Sequence, residues 1–122
     1  MDQSNQTLRA WGKYSVLYNA KGCKVKELYV EPQSSLSMQR HKLRNELWLV
    51  VSGQCILYSK LSGGYNLPPK NLQLHDYIVI EKNSWHQLSN PFNTACKLIE
   101  IQFGDDCYED EDRKSTRLNS SH

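Results

Sequence analysis

Apolar positions along this chain recur at strand spacing, in short runs broken by Gly, Pro and Asn, and nowhere with convincing helical periodicity. Arg9, Trp11, Gly12 and Tyr14 open the fold after Met1 to Thr7, a polar segment expected to be loose. Cys23 to Val30 reads as a strand that ends at Pro32; its Val25 is out of phase with Leu28 and Val30, which predicts either a bulge or partial cover on both faces. Leu47 to Val51 and Cys55 to Ser59 are continuous apolar runs, and the short glycine-containing link Ser52-Gly53-Gln54 predicts a hairpin between them. Leu61 to Asn71 holds Gly63, Gly64, Pro68 and Pro69 and reads as a loop. Apolar spacing returns over Leu72 to Ile80, Trp85 to Leu88 is short, and Lys97 to Phe103 alternates Ile99, Ile101 and Phe103 with Leu98, Glu100 and Gln102. Many short strands without a helix predict an all-β sandwich or barrel.

Candidate chemistry concentrates just ahead of the longest apolar run, in Leu36 to Gly53 (LSMQRHKLRNELWLVVSG). Gln39 and His41 are two apart, so an extended backbone projects both from one face; Glu46 follows after a gap that allows a turn. A fourth ligand must come from elsewhere, and His86 is the candidate. Two imidazoles, a carboxylate and an amide oxygen suit a borderline divalent ion, zinc first, with manganese, iron or nickel also compatible.

The spacing from Gln33 through Gln39, His41 and Glu46 to Gly53 resembles the first cupin motif, with Gln39 in place of its first histidine, and Ile80 to Asn90 resembles the second. RAWG at Arg9 to Gly12, KVK at Lys24 to Lys26, the LSMQRHKLRNELW stretch, NSWHQLSNP and LIEIQFG at Leu98 to Gly104 together resemble the type II mannose-6-phosphate isomerase domain. That domain usually forms the C-terminal part of bifunctional mannose-1-phosphate guanylyltransferases. The resemblance covers about Arg9 to Asp112 and implies a cupin double-stranded β-helix, that is, a jelly-roll barrel. It implies a metal-dependent isomerase of mannose 6-phosphate and fructose 6-phosphate in nucleotide-sugar and polysaccharide biosynthesis. Within the resembling motifs Arg9, Lys24, Lys26, Arg40 and Arg44 are the cations available for a phosphate, Trp85 is placed to meet a sugar, and Lys26 is the lysine to consider as a base. Four loop positions depart from the pattern: Gln33 and Asn83 replace glycines, Glu81 replaces a proline, and His75 stands where a turn glycine is usual. A non-catalytic metal-containing sugar-binding or regulatory cupin is the alternative. An iron oxygenase built on two histidines and a carboxylate fits less well with Gln39 and the basic motifs.

Length and charge narrow this further. At 122 residues and 39% hydrophobic content the chain holds one core and no second catalytic domain, and it lacks a Gly-rich nucleotidyltransferase loop. Its 15 basic and 13 acidic residues balance once Lys114 and Arg117 of the tail are set aside, which excludes a nucleic-acid footprint. The acidic cluster Asp105 to Asp112 lacks the spacing of a calcium loop. Four dispersed cysteines without a CxxC pair predict buried free thiols in a reducing compartment. Met1 to Thr7 has neither a basic nor an apolar leader character, so a cytoplasmic protein is expected. The partner expected is a small sugar phosphate, not nucleic acid or membrane, with a homodimer as an admissible assembly. The resembling family continues into an RxxDxYGR type of ending implicated in its active site, where this chain reads KSTRLNSSH. Residues 8–113 are therefore expected to form the domain and 114–122 a non-native or disordered tail.

Overall fold

The computed structural model describes residues 6–61 and 63–105, and the acidic cluster beyond Asp105 and the tail lie outside them. The described residues form ten strands and no helix: β1 (Gln6–Arg9), β2 (Gly12–Ala20), β3 (Cys23–Val30), β4 (Ser34–Ser35), β5 (Arg44–Ser52), β6 (Cys55–Lys60), β7 (Lys70–Leu72), β8 (Tyr77–Ile80), β9 (Trp85–Asn90) and β10 (Cys96–Gly104). A six-stranded sheet in the order β1-β2-β3-β10-β5-β8 faces a four-stranded one in the order β4-β9-β6-β7. All the pairings are antiparallel, and the two sheets make the expected jelly-roll barrel.

Register explains why one end of the barrel is a core and the other a site. Side chains alternate between faces, so residues paired across neighbouring strands form rows on one face. Leu28, Leu98 and Val50 make an inward apolar row, with Val30 and Cys96 below it. Toward the other end the same inward face carries Lys26, Glu100 and Trp48, then Lys24, Gln102 and Glu46, all buried. From the opposite sheet Leu57, Leu72 and Leu88 close the apolar end, and His86 faces the polar one. Asn90 locks the closed end: its amide donates to the carbonyls of Val30, Glu31 and Thr94 at 3.0–3.1 Å, and its carbonyl accepts from the amide N–H of Phe92.

Several expectations change here. The hairpin of Leu47–Val51 with Cys55–Ser59 does not form: β5 pairs with β10 and β8, whereas β6 pairs with β9 and β7 in the other sheet. The link is a corner between sheets. Gly53 sits there at φ 75, and a side chain on it would run into the carbonyl oxygen of Ala95, so the glycine serves close backbone approach. Gln6 and Thr7, expected to be loose, are in β1. Val25 points outward and is half-buried, the partial cover on both faces that its phase allowed, while Lys24 and Lys26 take the inward positions; the register slips on the neighbouring strand, between Val16 and Tyr18. Leu72 to Ile80 is two strands in different sheets, divided by a turn in which the amide of Gln73 donates to the Asp76 carboxylate at 2.8 Å. Cys55 and Cys96 are buried free thiols and Cys23 is half-buried, in line with expectation, and Cys107 lies outside the described residues.

The three positions where the resemblance called for glycine carry the only positive-φ non-glycine residues described: Gln33 at φ 58, His75 at φ 70 and Asn83 at φ 70. The left-handed turns are kept, and side chains bear the strain.

Candidate metal centre

Two loops bring the candidate ligands together. Gln39 and His86 form an isolated antiparallel bridge, each amide donating to the other's carbonyl, at 2.8 Å from Gln39 and 2.9 Å from His86. The amide of Asn83 donates to the carbonyl of His41 at 2.7 Å, and that of Lys82 to the side-chain oxygen of Asn45 at 3.0 Å. The turn before His86 is thereby fastened to the segment that carries His41 and Glu46. Arg44, Glu46 and Trp48 follow at two-residue spacing on the inward face of β5.

Glu46 is the hub. Its Oε2 accepts from Arg44 Nε at 3.1 Å and Nη2 at 3.0 Å and lies 3.2 Å from His41 Nε2. Its Oε1 accepts from Trp48 Nε1 at 2.9 Å and lies 3.8 Å from His86 Nε2. The imidazoles of His41 and His86 face each other with centroids 5.0 Å apart, and Trp48 meets His86 edge-on at 5.8 Å. His86 Nδ1 lies 2.9 Å from the carbonyl of Ser84 and must donate to it, so its Nε2 lone pair faces the pocket.

Burial by itself would raise the Glu46 carboxyl, but the His86 and His41 imidazoles and the Arg44 guanidinium outweigh it and hold the group well below the usual carboxylate range. Glu100 behaves in the opposite way: burial first, then the Glu46 charge, push it up to about 8. Near neutral pH the negative charge therefore resides on Glu46 and the proton on Glu100. Burial lowers the His86 value, with the Glu46 charge opposing it.

These residues fit a divalent cation. Donor atoms of His41, Glu46 and His86 all lie within 4.8 Å of one another, close to the separation that bonds of ~2.0 to 2.3 Å to one ion require. The Ser84 carbonyl fixes the His86 tautomer as an outer-shell partner does. Gln39, the fourth expected ligand, lines the same pocket, with its amide donating to Ser37 Oγ at 3.5 Å.

The remaining expected site residues divide into groups. Arg9 and Lys26 line the pocket beside Tyr14, the Lys26 ammonium 4.2 Å and the Arg9 guanidinium 5.4 Å from its ring centroid. Arg44 lines it as well but is bound to Glu46. Lys24 is buried on the same inward face, opposite Gln102, without reaching the pocket wall. Arg40 and Trp85 are not brought to the wall: the Arg40 guanidinium stacks 4.9 Å over the Trp85 ring, and both are half-buried away from the pocket. Glu100 and Gln102 line the pocket without having been singled out from the sequence, and Gln102 Nε2 donates to Glu100 Oε1 at 3.1 Å. The signal available was the alternation in Lys97 to Phe103, whose polar members take the inward face.

Comparison with known proteins agrees with this architecture. The mannose-1-phosphate guanylyltransferase of Salmonella typhimurium is 34% identical over 109 residues, 89% of this chain and 22% of the relative. The alginate biosynthesis protein AlgA of Pseudomonas putida is 33% identical over 106 residues, 87% of this chain and 21% of the relative. The chain thus spans about a fifth of the length of these curated relatives. Among solved structures, a cupin-superfamily sugar phosphate isomerase from Silicibacter pomeroyi has a TM-score of 0.63 at 15% identity, over 75% of this chain and 58% of its own. The oxalate decarboxylase of Lactobacillus farciminis reaches a TM-score of 0.75 at 12% identity, over 88% of this chain and 32% of its own. At such identities the likeness is one of fold, the cupin double-stranded β-helix. Residues 1–118 match the family described as mannose-6-phosphate isomerase C-terminal, and the chain belongs to that family.

Proposed function

We propose that this chain is a cytoplasmic, metal-dependent sugar-phosphate isomerase domain interconverting mannose 6-phosphate and fructose 6-phosphate for nucleotide-sugar and polysaccharide synthesis. The observation that carries this is the buried His41, Glu46 and His86 donor set at the polar end of the barrel, beside two pocket-lining cations, the buried Lys26 and the exposed Arg9. The family and the guanylyltransferase relatives support the substrate class.

His41, Glu46 and His86, with Gln39 beside them, would hold a divalent ion, which would supply Lewis-acid chemistry toward a sugar carbonyl. Arg9 and Lys26 supply positive charge for the phosphate. Moving a hydrogen between adjacent carbons also needs a group that takes and returns a proton within the pocket. Lys26 and Glu100, register partners on β3 and β10 that both line the wall, are placed for that task. Trp48 and the apolar row beneath it keep the floor dry.

A coupled assay of the metal-loaded chain with mannose 6-phosphate tests the reading, together with Lys26→Met and Glu100→Gln. Turnover that depends on metal and falls at least about 100-fold in one of the two variants is expected. A non-catalytic metal-containing sugar-binding module is the second reading. It is favoured by the way Arg44 already satisfies Glu46 and His41, and it would show as sugar-phosphate binding without turnover.

A further inference from the structure

Arg44 is placed unlike a cation waiting for substrate. Its Nη2 lies 3.0 Å from Glu46 Oε2 and 3.3 Å from His41 Nε2, and the residue is only 3% exposed. The lone pairs that accept from this nitrogen belong to two of the three donors within 4.8 Å of one another. An ion bonded to the same lone pairs at ~2.0 to 2.3 Å would occupy the space Nη2 fills. Two further features fit this arrangement. Glu46 is charged and almost wholly buried, which without a cation beside it is strongly unfavourable. The fork of Nε and Nη2 on Oε2 supplies that cation from within the chain. Arg44 heads β5 where the strand leaves the bend at Lys42 and Leu43, both exposed, so its side chain enters from the mouth side of Glu46.

We propose that the Arg44 guanidinium is an internal stand-in for the metal: it holds the His41 and Glu46 lone pairs in the metal-free chain and must leave them for an ion to bind. The inference rests on the metal reading above and adds a competitor to it. Metal affinity is thereby set as a difference, between the ion and the guanidinium, and the chain stays folded without metal because the Glu46 charge is never left unpaired. A guanidinium that merely oriented Glu46 for the ion would act in the opposite direction, since losing an orienting partner weakens metal binding.

The sign of the effect decides between these roles. Cobalt(II) binding to the unsubstituted chain and to Arg44→Ala is measured by calorimetry and by the visible absorption of the bound ion, with circular dichroism to establish folding. Competition predicts that Arg44→Ala binds cobalt about tenfold tighter or more, a coupling of ordinary size for linked sites. It also predicts that millimolar guanidinium ion, which can fill the vacated place, weakens cobalt binding in Arg44→Ala and leaves the unsubstituted chain unaffected. Equal or weaker binding in a folded Arg44→Ala overturns the inference while leaving the metal reading intact. If Arg44→Ala folds only with metal, Arg44→Lys takes its place: a point-charge ammonium cannot fork onto Glu46, so tighter binding than in the unsubstituted chain is expected there too, and its absence overturns the inference. Cobalt bound by neither chain removes the metal reading, and this inference with it.

Discussion

Gln39 and His86 are joined backbone to backbone, through hydrogen bonds of 2.8 and 2.9 Å in both directions. This bridge makes one site of two distant segments, because it sets both candidate ligands before either side chain is considered. Gln39→Ala should keep the bridge and lose one ligand oxygen, whereas Gln39→Pro removes the N–H and the bridge. The expected outcome is a modest loss of metal affinity in the first and a large loss, with a lower melting temperature, in the second. Metal titration and thermal unfolding of both variants check it.

Removing the hub should expose the cost of its partner. Glu46→Ala leaves the Arg44 guanidinium buried beside His41, and a buried charge deprived of its partner typically costs about 3–5 kcal/mol. Glu46→Ala/Arg44→Leu should recover most of that stability while still failing to bind metal. His86→Ala should lose metal with a smaller loss of stability, since His86 pairs with Ser84 and no buried ion is orphaned. Urea unfolding and elemental analysis after dialysis separate the two effects, and unchanged metal content in both single variants would place the ligands elsewhere.

Stability of the metal-free chain should pass through a maximum with pH. Glu100 has a folded value near 8 against an ordinary one of 4.5, so the folded state keeps a proton the unfolded state has released. Stability from this group declines as pH rises between those values and then levels. His86 is lowered from 6.5, so its contribution is lost as pH falls below that value. Glu46 is lowered as well, and its contribution is lost further into acid. Glu100→Gln should remove this decline over the whole window from 4.5 to about 8, so that stability rises with pH through the His86 region and then levels, with the profile below 4.5 unchanged. Chemical denaturation across that range, in chelator, is the measurement.

The strained turns offer a gain. Gln33→Gly, His75→Gly and Asn83→Gly each relieve a positive φ, and the relief should outweigh the extra freedom of the unfolded chain by up to ~1 kcal/mol. Asn83→Ala should cost a similar amount and loosen the turn that leads to His86. Melting temperatures of the four variants test this. A drop in all three glycine variants would show that the side chains contribute more than the backbone strain costs.

Much of this arrangement was readable in the sequence alone. Alternation marked Cys23–Val30 and Lys97–Phe103 as strands, because a backbone extended in a sheet sends neighbouring side chains to opposite faces. Motif spacing gathered Gln39, His41, Glu46 and His86, and it named Gln33, His75 and Asn83 as turn residues standing in glycine positions. Those are local properties, legible wherever they occur along the chain. Alternation shows that a strand has two faces without saying which one is inside. In β10 the apolar Ile99 and Ile101 face outward and Glu100 and Gln102 inward, because β3 and β5, distant in sequence, bring Lys24, Lys26 and Glu46 into the same rows. The break between β5 and β6 was invisible for a related reason: a short glycine link suits a hairpin and a corner equally, and only the pairing of β5 with β10 and β8 selects the corner. Arg44 could be read as a cation, but not as the partner of Glu46 and His41. That was decided by the folded barrel, where burial makes an unpaired Glu46 too costly and leaves the nearest guanidinium to satisfy it.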